Sequence, residues 1–270
     1  MRGANLFLAG SGDAVVGSEE HFTPRMDLRR DSRGDDPLVA SPTLRAYHLL
    51  LWDKPLPTGG HFSLRDESEC GDYLVHESVL DRFSLASDTC VPRWTTGSRS
   101  GLDGLAETRP PRYDRVAHQM GAMLLLPRNS PGEFRGSSVS HDRMTSGYIA
   151  DRIDLTLECI RLHYLQRSQP SAVDDNPLSS TLARWADFFE LFGDFTGFVD
   201  FFLLNDLLAS DGESIDFLLP FDGFTWWPLP RDSQEYAAYM DRIVSFVDAR
   251  HCRMEEWVKR SPRPVGTLTR

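Results

Sequence analysis

Four side chains in the middle of this 270-residue chain have the types and the spacing to do chemistry: Arg152, Asp154, Glu158 and Arg161. Asp154 and Glu158 stand one helical turn apart and face the same way. Carboxylates paired in this manner can act as acid and base, or hold a divalent cation. The competing reading is structural: Arg152 and Arg161 neutralise Asp151, Asp154 and Glu158 as a ladder of ion pairs. No His sits three or four residues from either carboxylate on that face, which argues against a two-metal centre, and no metal is expected.

The element that must position these groups is Gly147–Gln166, GYIADRIDLTLECIRLHYLQ. On a helical wheel Ile149, Ile153, Leu157, Ile160 and Tyr164 form one apolar stripe, and Leu155, Cys159 and Leu162 form a second. The charged wedge lies between them. A helix that is apolar on two sides is packed on two sides, so the wedge should be partly enclosed. Enclosed charges are costly unless they are paired or used. The polar loop Arg128–Ser146, with Arg135, His141 and Arg143, leads directly into this helix. Arg143 and Asp151 are therefore expected to contribute to binding at the same place.

A second candidate surface is the aromatic loop Phe221–Pro230, FDGFTWWPLP. Its Trp226-Trp227 pair, with Phe221 and Phe224, could stack on a base or a sugar ring; the alternative is that these rings plug the end of the core. Asp200 and Asp206 interrupt the most apolar run, Phe198–Leu208, and burial is expected for both. His48, with Tyr47 and Trp52, could line a pocket or be a satisfied core histidine.

Composition narrows the function classes. The net charge of −11 and the sequence pI near 5.2 argue against a dedicated nucleic-acid binder. The cysteines Cys70, Cys90, Cys159 and Cys252 share no metal-like spacing, and no CxxC occurs, so they read as reduced thiols of a cytoplasmic protein. No run approaches the ~18 consecutive apolar residues of a membrane span. Walker A, GxGxxG, GxSxG and HExxH signatures are absent, so no cofactor is implied.

Along the chain, residues 1–40 read as a disordered leader. A helix capped near Ser41 carries Leu44, Tyr47, His48 and Leu51 on one face. Two short strands and a short helix are expected over 61–91, and a loop over 96–113. Gly121–Pro127 reads as a buried strand, Thr181–Phe192 as an amphipathic helix ended by Gly193, and Gly197–Leu208 as a buried helix. Ile215–Leu219 reads as a strand. Glu235–Val258 reads as a long closing helix, with a frayed tail over 261–270. The fold class is α+β: a single mixed domain over 41–260 with a central buried helix, short strands and a long C-terminal helix.

Five runs occur together: SPTLRAYHLLLWDKPLP at 41–57, GAMLLLP at 121–127, DRIDLTLECIRLHY at 151–164, FFELFGDFTGFVDFFLLNDLL at 188–208, and PFDGF with PLP at 220–230. In that order and spacing they resemble an uncharacterised bacterial protein family, a domain of unknown function. The resemblance spans about residues 41–258 and implies no activity, cofactor or partner. The family pattern places an Asn and an Arg-Gly pair before the central helix, where this chain has SVSHDRMTSGY.

Two functions remain open. One is an enzyme, a hydrolase or transferase of small molecules or phosphodiesters, working at Asp154, Glu158 and the nearby arginines. The other is a non-enzymatic binding protein that docks a partner with loop 221–230.

Overall fold

A computed structural model of the chain describes residues 22–33, 35–67, 74–92, 94, 109–129, 135–168 and 175–260. Five strands run as an antiparallel meander in sequence order: β1 (Lys54–Pro55), β2 (His61–Asp66), β3 (Leu74–Glu77), β4 (Arg82–Thr89) and β5 (Met123–Arg128). On β2 the alternation sends Phe62 and Leu64 inward while His61, Ser63 and Arg65 stay exposed. Cross-strand register then stacks rings: His76 lies flat on Phe62 at 3.9 Å and parallel to Phe83 at 6.1 Å. β5, MLLLPR, is buried along nearly its whole length, as its continuous apolar run requires.

The helices, in chain order, are α1 (Pro37–Ala40), α2 (Pro42–Trp52), α3 (Pro111–Val116), α4 (Val139–Thr145), α5 (Ile153–Ser168), α6 (Ser179–Arg184), α7 (Ala186–Glu190), α8 (Phe195–Phe202) and α9 (Ser233–Arg260). Ser41 caps α2 by accepting the Leu44 amide at 3.0 Å, with Pro42 in the first turn. α5 buries both apolar bands, including Ile153, Leu157 and Ile160 on one side and Leu155 and Cys159 on the other. α9 buries Tyr236, Met240, Ile243, Val247, Met254 and Val258, the face its periodicity marks out. It packs against α2, α3 and the 3-10 turn Met120–Ala122. At that turn a side chain on Gly121 would lie 2.6 Å from the His251 ring, so only glycine permits the approach.

α8 ends at Leu203, a non-glycine residue in the left-handed region, and its last carbonyls are met by cations. Lys54 Nζ donates to the Phe201 carbonyl at 2.6 Å and lies 4.5–4.8 Å from the rings of Trp52, Phe201 and Trp257. Arg250, fully buried, donates to the carbonyls of Phe202, Gly121 and Met123.

The α+β expectation and the long C-terminal helix stand. Several boundaries differ. The central helix starts at Ile153 rather than Gly147, because Ala150 and Asp151 take left-handed backbone and interrupt it. The span 61–91 holds three strands and, among its described residues, no helix. The loops over 96–113 and 128–146 hide the start of α3 and all of α4. Thr181–Phe192 breaks at Trp185 into α6 and α7, and Ile215 makes only an isolated bridge to Leu208. Ordered structure also extends upstream of 41: Leu28 is fully buried, its amide donating to the His118 carbonyl. Cys70 lies outside the described residues, while Cys90, Cys159 and Cys252 are free thiols. No helix among the described residues is long and apolar enough to cross a membrane.

Four histidines are buried in the neutral form. Trp52 Nε1 donates to His48 Nδ1 at 3.0 Å, so His48 Nε2 carries the proton toward Ser87 Oγ at 2.7 Å. Burial, helped by Arg250, lowers His48 to about 3; burial lowers His251 to about 3, and His76 and His163 to about 4. In the unfolded chain these rings titrate near ~6.5, so below that pH the unfolded state binds more protons. Their contribution is therefore complete above about pH 6.5 and is lost as pH falls toward 3–4. The fully buried His48 ring should cost about 2 kcal/mol of stability between pH 7 and pH 5. Urea titrations across that range would check this, and a stability independent of pH between 7 and 5 would contradict it.

Candidate functional site

The turn that feeds α5 carries two consecutive non-glycine residues in the left-handed region, Ala150 (φ 53°) and Asp151 (φ 64°). Such backbone persists only where its surroundings over-determine it. Here Trp94 Nε1 donates to the Ala150 carbonyl at 2.7 Å, and the Asp151 amide donates to the Arg143 carbonyl at 3.0 Å. Arg143, fully buried on α4, returns a bond from Nη2 to the Asp151 carbonyl at 2.9 Å. Its Nη1 meets the carboxylates of Asp88 at 2.8 Å and Asp151 at 2.9 Å, and its Nε donates to Thr156 Oγ1 at 3.0 Å. Burial works against the charged guanidinium, but Asp151 and Asp88 outweigh it and hold the pKa above the ordinary arginine value. Arg143 and Asp151 therefore meet, as the loop's position suggested. Arg143 itself has no exposed surface, while its partners Asp88 and Asp151 are part-exposed.

One residue further on, Arg152 and Asp154 form a second buried pair. Arg152 Nε and Nη2 reach the two Asp154 oxygens at 3.1 and 2.5 Å. Arg152 also donates from Nη1 to the Pro228 carbonyl (2.9 Å) and from Nη2 to the Leu219 carbonyl (3.3 Å), and Asp154 accepts the Leu218 amide at 2.8 Å. Asp154 has no exposed surface and Arg152 only 1 %. On the next turn, Arg161 Nε and Nη2 close both oxygens of Glu158 at 2.7 Å. The four residues proposed for acid–base chemistry thus fall into two arginine–carboxylate pairs, the arrangement of the ladder reading. A carboxylate whose oxygens are already taken by an arginine fork has little capacity left to move a proton on a substrate.

The carbonyls that Arg152 holds belong to the segment around the aromatic loop. Phe217, Phe221 and Phe224 pack in series, tilted at 4.5 Å and then edge-to-face at 5.1 Å, and Phe224 and Leu229 are buried. A turn then brings the Trp226 amide to the Gly223 carbonyl at 3.0 Å, with Gly223 at φ +81°. The two readings of these aromatics divide the loop between them: the phenylalanines plug the core, while Trp226 and Trp227 stay 43 % and 51 % exposed. The tryptophans, with Leu219, Pro220 and Leu229, line a shallow cleft floored by Arg152 and edged by Arg231 and Glu235. It encloses about 10 Å3, room for roughly one water. The structure thus joins Arg152 and the tryptophan pair, two candidates that are 74 residues apart, whereas Asp154 and Glu158 do not line the cleft.

Other candidates fall elsewhere. Asp200 is exposed and accepts from Asn205 Nδ2 at 2.6 Å, against the expectation of burial, because its position on α8 faces outward. Asp206 pairs with Arg253 on α9. His48, Tyr47 and Trp52 are core residues, not pocket walls. Sequence reading missed a wide trough of about 800 Å3 between the hairpin turns and the end of α7, bordered by Leu56, His61, Glu77, Val79, Leu80 and Glu190. Its one visible signal is an apolar pair, Val79-Leu80, at a turn position where polar residues are usual. Among the described residues no group of three or more His, Cys, Asp or Glu side chains could hold a metal ion.

The profile of a family of unknown function (DUF6994) matches residues 22–254. No curated protein and no solved structure matches the chain.

Removing one partner of a buried pair strands the other charge. Asp154→Ala should therefore destabilise the fold by about 3–5 kcal/mol. Glu158→Ala, which releases the part-exposed Arg161, should cost about 1 kcal/mol. Chemical denaturation of the two variants checks this, and equal losses would mean that the Arg152–Asp154 pair is not a buried one.

Proposed function

Because the chain belongs to this family of unknown function, we propose its activity from its own geometry: it is a binding protein that docks a macromolecular partner through the aromatic loop 221–230. The observation that carries this reading is a pair of adjacent, half-exposed indoles, Trp226 and Trp227, on a loop anchored at both flanks by buried bonds. Large exposed aromatics are costly to present to water without use, and tryptophan supplies much of the energy at protein interfaces. Anchoring cuts the ordering cost of association, because the loop is already in place before the partner arrives. Three prolines, Pro220, Pro228 and Pro230, restrict it further.

The alternative, acid–base chemistry at Asp154 and Glu158, has less support. Both carboxylates are committed to arginines, and the adjoining cleft is too small for a substrate. The free thiols Cys90 and Cys159, whose pKa values burial pushes up, support a reducing, cytoplasmic setting.

Hydroxyl-radical footprinting tests the reading. In an extract of the source cells, Trp226 and Trp227 should be protected relative to buffer, while the exposed Val79 and Leu80 should be modified equally in both. A Trp226→Ala/Trp227→Ala variant should stay folded, with the far-ultraviolet circular dichroism of the parent, since neither indole belongs to the buried core. Indoles modified to the same extent in extract and in buffer would rule the docking role out.

A further inference from the structure

The chain carries a net charge of −11, so it repels anions as a whole, and a site for one must be assembled locally. Such a place lies between the first described segment and the end of α3. Among the residues lining a basin of about 450 Å3 there are Arg25, Met26, Asp27, Arg30, Arg115 and Gln119. None of them lines the tryptophan cleft, and the inference is independent of the docking role given above.

The two walls of the basin are tied to each other by backbone and side-chain bonds. The Leu28 amide donates to the His118 carbonyl at 3.0 Å, and the Met120 amide to the Pro24 carbonyl at 3.0 Å. Gln119 Nε2 donates to the Arg25 carbonyl at 2.9 Å. Leu28, fully buried, pins the 3-10 turn Leu28–Arg30 that carries Arg30. Arg115 comes from the other wall, on α3.

Charges in the basin do not cancel. Asp27 is answered by Arg29, whose Nε meets its two oxygens at 2.9 and 3.0 Å. Arg25 is answered by Glu255 on α9, and its Nη2 also donates to Cys252 Sγ at 3.3 Å. Arg30 and Arg115 have no ion pair or side-chain hydrogen bond among the described residues. Two guanidiniums lining one basin are thus left uncompensated, on a chain where carboxylates outnumber lysines and arginines 40 to 29.

Like charges gathered in this way repel each other, and a bound dianion relieves the repulsion. Guanidinium forks match the oxygens of phosphate and carboxylate groups in bidentate bonds. The volume falls within the ~300–1,000 Å3 typical of small-molecule sites. A cation is repelled there, and a neutral sugar leaves both charges uncompensated. A nucleic-acid strand needs a longer run of positive charge than this basin supplies. We propose that the basin binds a small dianion, a phosphate monoester or a compact dicarboxylate, whose oxygens accept bonds from Arg30 and Arg115. Met26, half-buried, offers an apolar wall to the rest of the molecule.

Calorimetric titration of the full chain with inorganic phosphate, phenyl phosphate and succinate tests this, with choline and glycerol as controls. At least one of the three dianions should bind saturably below about 1 mM at low salt, and neither control should bind. Binding by the phosphates alone assigns a phosphate group, binding by succinate alone assigns a dicarboxylate, and either result supports the basin. In Arg30→Gln/Arg115→Gln the affinity should fall at least about tenfold. Arg30→Lys/Arg115→Lys should keep part of it, because the charge remains while the fork is lost. Lys259→Gln/Arg260→Gln removes two exposed charges outside the basin and should leave binding unchanged. Circular dichroism confirms that each variant is folded. No binding by any of the three dianions, equal binding by the Arg30/Arg115 glutamine variant, or an equal loss in the Lys259/Arg260 variant overturns the inference.

Discussion

A buried guanidinium and carboxylate, Arg152 and Asp154, tie the start of the central helix to a segment more than 60 residues away. Taking both charges out of water costs several kcal/mol per ion, and their attraction offsets that only if every remaining donor and acceptor finds a partner. Here nearly all do: four of the five Arg152 N–H groups reach Asp154 and the carbonyls of Leu219 and Pro228, and the Leu218 amide adds a bond to Asp154. The pair thus works as a clasp. It holds together the two flanks of the aromatic loop, from which α9 then departs at Ser233.

The same device recurs twice. Arg143 satisfies the Asp151 and Thr89 carbonyls at the strained turn before α5, and Arg250 satisfies the carbonyls of Phe202, Gly121 and Met123 where α8 meets the sheet. Backbone outside helices and ladders leaves carbonyls without partners, and burying them unbonded is costly. Arginine suits the task because its donors fan out in a plane and it stays charged when buried. Arg250 does so without a carboxylate partner among its bonds, and burial lowers its pKa to about 10, still above neutrality. These three side chains explain how irregular segments are tolerated in the interior.

Arg143 and Arg152 hold backbone on either side of the start of the central helix, and the loop that Arg152 bonds is an aromatic one. Trp226 and Trp227 are half-exposed, while Phe224 beside them is buried and Phe221 half-buried.

Sequence alone determined the α+β class, the twin apolar bands of the central helix, the buried face of the C-terminal helix and the irregular aromatic loop. Each is a local pattern, carried by residues a few positions apart: periodicity, caps and prolines. It also showed which residues could do chemistry, since residue type and helical spacing are local as well. Only the tertiary structure decided what those residues touch. Arg152 and Asp154 lie two residues apart, but the carbonyls and amide that complete their bonds come from 218–228. No periodicity links the two stretches. Nor could spacing reveal that Arg143 stabilises two left-handed residues that stop the central helix from starting at Gly147. Whether a charge is a reagent or a brace depends on what the chain folds against it, and those contacts are set by packing across the whole fold.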